Sequence, residues 1–80
     1  MSIVDVLLPQ YGMGMQDAEI TRWVKNVGDV VQEGEIIAEI EAAKAVIEVP
    51  APLSGELVEL LVEPGVSVVV RTPIARIKAP

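Results

Sequence analysis

The sequence predicts an all-β domain, a flattened barrel or sandwich of eight short strands arranged in two similar sets. Val-, Ile- and Leu-rich runs of strand length recur along the chain and are cut at short intervals by Pro, Gly and Asn. Sliding the chain against itself by thirty-seven positions lays Glu19 on Glu56, Gly28 on Gly65, Val31 on Val68, Ile37 on Ile74, Ala38 on Ala75 and Ile40 on Ile77. Apolar positions follow, with Ile20 on Leu57, Trp23 on Leu60 and Val24 on Leu61. Two similar halves imply a quasi-two-fold fold, and a single lysine, Lys44, stands at the pivot between them.

The strands are justified in chain order by where apolar runs stop. The first, 3–8, ends at Pro9, and a break over Pro9–Gln16 separates it from the second, 19–25. Asn26-Val27-Gly28-Asp29 then turns the chain into the short third strand, 30–31, and Glu33-Gly34 turns it again. The fourth and fifth, 36–41 and 45–49, precede a break over Pro50–Gly55. The sixth, 56–62, stops at Glu63-Pro64-Gly65; the seventh, 67–70, stops at Thr72-Pro73; and the eighth is 74–78. Each break holds residues that supply a fixed or a positive φ. The start of each half also matches, because Val6-Leu7-Leu8-Pro9 resembles Ile47-Glu48-Val49-Pro50 at a spacing of forty-one, which leaves the first half with extra residues around Tyr11-Gly12-Met13-Gly14.

One segment pulls two ways. Ile36, Ile40, Ala43 and Ile47 recur at helical spacing, and Glu41-Ala42-Ala43-Lys44 is a helix-forming string. Against a helix, Val46, Ile47 and Val49 are β-branched, Glu39, Glu41 and Glu48 alternate with apolar neighbours, and the repeat pairs 37–40 with a strand. The hairpin is the reading adopted. Its tip, Ala42-Ala43-Lys44-Ala45, is poor turn chemistry, so the register must come from the fold and the inward Ala38, Ile40, Ile47 and Val49.

Composition excludes several functions. Eighty residues make one domain, near the size at which only about 60% of the unfolded chain's surface is buried. The chain has no Cys and no His, so disulfides, thiolate metal sites and the usual neutral-pH base are missing. Asp5, Asp17 and Asp29 are too scattered for a calcium loop, and no metal is expected. A net charge of −6 with almost no aromatics argues against nucleic acid. No apolar run approaches the roughly 18 residues of a membrane span, and Met1-Ser2-Ile3-Val4-Asp5 lacks a signal peptide's basic start. No membrane partner is expected, and the expected location is the cytoplasm, or the mitochondrial matrix in a eukaryote. The domain is read as 1–78, and Lys78-Ala79-Pro80 fits either a chain terminus or, at 79–80, the start of an Ala/Pro linker.

Taken together, Pro9-Gln10 with Gly12-Met13 and Met15, Ile20 with Trp23, Gly28-Asp29-Val30-Val31, Gly34-Glu35, Ala38-Glu39-Ile40-Glu41, Lys44-Ala45, Ala51-Pro52, Ser54-Gly55, Gly65 and Pro73-Ile74 resemble, in order and spacing, a lipoyl domain of a 2-oxo acid dehydrogenase acyltransferase. The resemblance covers nearly the whole chain. It implies a flattened barrel, or barrel-sandwich hybrid, of two four-stranded antiparallel sheets. It also implies covalent lipoate on Lys44 at a hairpin tip, with Ala43 and Lys44 as the central turn residues and Glu41, Ala42 and Ala45 as neighbours.

Gly12, Met13 and Met15 are implied loop contacts, core filling being the other reading for the methionines. Glu39, Glu41 and Glu48 either help present the tip or form a solvated strand face, and Trp23 is read as packing. The implied partners are a lipoate ligase or lipoyl transferase, a thiamine-dependent 2-oxo acid dehydrogenase, the acyltransferase core and dihydrolipoamide dehydrogenase; the domain by itself is no enzyme. Three residues depart from the pattern: Ala43 where Asp is usual, Ala18 where Gly is frequent, and Arg71 where Gly is usual before Thr-Pro. The last two read as loop variations. A biotinyl carrier of a carboxylase and an unmodified hammerhead-like adaptor share the fold and stay open as alternatives, although Ala45 and the Gln10–Met15 segment favour the lipoyl pattern over a tip with Met on both sides of lysine.

Overall fold

The computed structural model describes residues 2–10 and 14–80. Eight strands follow one another: β1 Ser2–Leu7, β2 Asp17–Trp23, β3 Val30–Val31, β4 Ile36–Ala42, β5 Ala45–Pro50, β6 Gly55–Leu60, β7 Ser67–Val69 and β8 Pro73–Ala79. They form two four-stranded antiparallel sheets, ordered β1-β8-β6-β3 and β5-β4-β2-β7. The strand-rich reading of 36–47 holds: Glu39 pairs with Glu48, Ile40 with Ile47 and Ala42 with Ala45 in a β4–β5 hairpin. Alternation sends Ala38, Ile40 and Val49 into the core and Glu39, Glu41 and Glu48 outward.

The repeat is visible in the pairings. In the first sheet Leu57 faces Ile77, the register slips, and Glu59 faces Arg76. In the second Ile20 faces Ile40, the register slips at the same place, and Arg22 faces Glu39. Turns are duplicated too. Gly28 N donates to Leu57 O at 2.7 Å, while its counterpart Gly65 N donates to Ile20 O at 2.7 Å. Each half thus lends its turn to the other half's central strand. The equivalence of β1 and β5 needs one correction. Val6 faces Ala75 as Val49 faces Ala38, and Leu8 meets Arg71 as Ala51 meets Gly34, so the offset is two residues longer than forty-one.

A sealed core explains why the halves must match. Val6, Leu8, Ile20, Val31, Ile37, Ile40, Val49, Leu57, Ile74 and Ile77 are almost wholly buried, and no polar side chain is buried among the described residues. At roughly 1.5–3 kcal/mol for each such side chain taken out of water, this layer is the main force holding the sheets together. The sheets face each other as a flattened sandwich and do not close into a barrel. Each sheet has one long edge, β1 or β5 with six residues, and one short edge, β3 or β7 with two and three, and no ladder joins one sheet to the other among the described residues. Short edges of this kind limit edge-to-edge aggregation without closure.

The molecule has two distinct ends. Leu8 N donates to Thr72 O and Arg71 N donates to Leu8 O, while Val70 N donates to Gln16 O. The end of β1, the end of β7 and the start of β2 therefore gather at the end that carries the Ala42–Ala45 tip. Ser2 and Ala79 pair with each other at the opposite end.

Candidate functional site

The tip is a two-residue turn closed by the Ala42–Ala45 pair. Ala43 has φ 52° and Lys44 has φ 66°, so both central residues lie in the left-handed region. This is the turn whose twist matches the flanking strands, normally built from Asn-Gly or Gly-Gly. Left-handed backbone costs an L-residue about 1–2 kcal/mol, so the turn is held by its frame and not by its own residues. The frame is firm, because Ile40 and Val49 are fully buried a few residues back along each strand.

Lys44 is exposed and has no ion pair among the described residues. Ala43 and Ala45 are exposed and Ala42 is half-buried, so no bulky side chain in the turn shields the amine. Beside it the sheet's outer face is acidic. Glu41 faces Glu19 across one ladder and Val46 across the other, and Glu39 faces Glu48. Arg22 Nη2 lies 3.2 Å from Glu39 Oε2.

The loop residues divide. Gly12 and Met13 lie outside the described residues. Met15 is half-buried and packs against the core. Trp23 packs as read from the sequence, and its indole Nε1 donates to Val62 O at 2.9 Å. No cluster of His, Cys, Asp or Glu among the described residues could hold a metal ion, and no helix is long and apolar enough to cross a membrane. The shifted titrations sit away from the tip, where Lys25 Nζ lies 2.8 Å from Glu35 Oε2. Hydrogen bonding to Lys25 holds the Glu35 carboxyl below its usual value, and the same bond raises Lys25.

Arg71 was read in the sequence as a loop variation, and the structure gives it a special backbone. Its φ is 70°, and its counterpart in the other half is Gly34, φ 87°. The signal was present in the repeat, which lays Gly34 on Arg71.

Comparison with known proteins agrees with this geometry. Residues 4–77 match the family model described as "Biotin-requiring enzyme". The chain is 40% identical over 73 residues to the dihydrolipoyllysine-residue acetyltransferase component of pyruvate dehydrogenase complex from Staphylococcus aureus, covering 91% of this chain and 17% of that protein. The same figures describe its match to the Staphylococcus epidermidis component. The chain thus spans under a fifth of the length of these curated relatives. Among solved structures, the lipoyl domain of the 2-oxoglutarate dehydrogenase complex from Azotobacter vinelandii superposes with a TM-score of 0.76 at 26% identity, covering 95% of this chain and 96% of that one. The duplicated sandwich, the lysine-tipped hairpin and these matches agree: the chain belongs to the biotin/lipoyl family and has the fold of a lipoyl domain.

Proposed function

We propose that the chain is a lipoyl carrier whose attachment residue is Lys44. The observation that supports this most directly is the position of the amine: exposed, unpaired among the described residues, and raised on a turn anchored by buried Ile40 and Val49. An amide to lipoate suits such a site, since the small Ala43 and Ala45 leave room for a ligase to approach. Once attached, the dithiolane supplies acyl acceptance and two-electron redox chemistry that no residue of this chain can supply.

The chain's own part is mechanical and electrostatic. The strained turn fixes the root of a flexible tether, and the rigid sandwich keeps that root at one end of the molecule. Transfer between enzymes then depends on effective concentration, in the millimolar range for short flexible tethers. The implied partners are a lipoate ligase or lipoyl transferase, a thiamine-dependent 2-oxo acid dehydrogenase, an acyltransferase core and dihydrolipoamide dehydrogenase, in the cytoplasm or the mitochondrial matrix.

The test is mass spectrometry of the intact chain and its peptides after incubation with lipoate ligase and lipoate, and in parallel with biotin ligase and biotin. The expected outcome is a lipoyl adduct on Lys44 and none on Lys44→Ala. Biotin alone would move the chain to the carboxylase carriers, and no adduct from either ligase would leave the unmodified adaptor.

A further inference from the structure

We propose that Arg71 is a recognition residue that pairs with a carboxylate on the thiamine-dependent dehydrogenase engaging the Lys44 tip. The inference rests on the carrier reading and adds a contact to it. It stands on position, backbone and charge.

Position comes from the ladders. Glu41 on β4 faces Glu19 on β2, so the turn beyond Glu41 lies level with Asp17. Asp17 faces Val69 across β2's other edge, and Arg71 follows two residues later at the same end of the molecule. With strands about 4.8 Å apart in the order β5-β4-β2-β7, the turn and the end of β7 are separated by about 12 Å. A standard interface covers about 800 Å² on each partner, so a protein that grips Lys44 also covers Arg71.

The backbone makes an arginine here costly. Arg71 holds φ 70°, and the matching turn of the other half uses Gly34 at φ 87° in the same hydrogen-bonded frame. Arg71 N donates to Leu8 O at 2.8 Å where Gly34 N donates to Ala51 O at 2.9 Å. The fold thus shows, within one molecule, that glycine fits this turn without strain. A strained side chain kept where glycine would serve points to a role outside folding.

Charge shows what the role is. Arg22 is paired with Glu39, and Arg76 with both Asp5 and Glu59. Arg71 is exposed and has no ion pair among the described residues, in a chain with twelve acidic and six basic residues. Its planar fork is suited to bidentate contact with a carboxylate. On the acidic, tip-bearing end it offers a partner one cation apart from Lys44, and that cation persists after amidation removes the charge of Lys44.

The test combines melting with binding. Isotopically labelled chain, wild type and variants, is titrated by NMR with the thiamine-dependent 2-oxo acid dehydrogenases of the same organism, pyruvate- and 2-oxoglutarate-specific enzymes separately, at low and high salt. Arg71→Gly is expected to melt a few degrees higher, because the left-handed strain is relieved. It should nevertheless bind roughly three- to tenfold more weakly at low salt, with the gap closing at high salt. Arg71→Ala should bind as weakly without melting higher, Arg71→Lys should keep most of the affinity, and Lys78→Ala, at the opposite end, should change nothing.

The assignment is overturned if wild type binds neither enzyme, if Arg71→Gly binds as wild type does, or if Arg71→Lys falls as far as Arg71→Ala. Binding is read on unmodified chain, so failure of Lys44 to accept lipoate would refute the carrier reading separately.

Discussion

The two sheets are near copies on the inside and differ on the outside. Ile20 facing Ile40 is repeated as Leu57 facing Ile77, with the same slip of register after each. On the outer faces the charges part company. In the β1-β8-β6-β3 sheet Arg76 bridges Asp5 and Glu59, and Lys78 faces Glu56. At the matching places of the tip-bearing sheet Glu39 faces Glu48 and Glu41 faces Glu19, and Arg22 is paired with Glu39. Like charges directly opposite weaken a sheet and opposite ones support it, by tenths of a kcal/mol up to about 1. What the halves share is therefore what the sandwich needs to form; what they do not share gathers where Lys44 is.

Equal cores should give equal penalties. Ile40→Ala and Ile77→Ala are each expected to cost about 3 kcal/mol in urea unfolding, within about 1 kcal/mol of each other, because both side chains are fully buried in matched surroundings. A large difference would break the comparison at its centre.

The next test sharpens it at a place where the copies differ. Ala18 is buried on β2, and its counterpart on β6 is Gly55. A Cβ on Gly55 would meet the Lys78 carbonyl oxygen and lie 2.7 Å from Ile77 Cγ2. Gly55→Ala should therefore destabilise by about 2 kcal/mol through overpacking, read as a lower Tm, although alanine sits comfortably at the matching site. An unchanged Tm would show that the two central ladders are spaced alike.

The smallest effect concerns the tip. Ala43→Gly should raise stability by about 1 kcal/mol by relieving φ 52°, read as a higher Tm. A lower Tm would mean that the turn is not strained.

Much of this was legible in the sequence because the fold relies on local rules. All eight strands lie where β-branched runs and their Pro, Gly and Asn stops place them, since short strands leave little room for boundaries to wander. The hairpin over 36–49 was legible from alternation even though Glu-Ala-Ala-Lys favours a helix, because burial of Ala38, Ile40 and Val49 outweighs a propensity of tenths of a kcal/mol per residue. The offset between β1 and β5 was misplaced by two residues for a physical reason: a slip of two keeps every side chain on the same face, so hydrophobic pattern alone does not resist it. Closure was not legible, because it depends on how far the edge strands extend. The hairpin tip was legible as Ala42-Ala43-Lys44-Ala45, with Ala43 and Lys44 at its centre. Arg71 was not, since left-handed backbone leaves no mark in composition; its alignment with Gly34 and the glycine that the resemblance leads one to expect before Thr-Pro were the two signals.

The pairing of Ser2 with Ala79 at the end away from Lys44 makes the domain a lever. Polypeptide continuing from either strand end would leave from nearly one point, so the body would swivel about a common pivot. The molecule is 35 Å along its greatest dimension. A modest rotation at that pivot would carry the lysine through an arc of comparable radius, and the rigid sandwich would thereby lengthen the sweep of whatever its side chain bears.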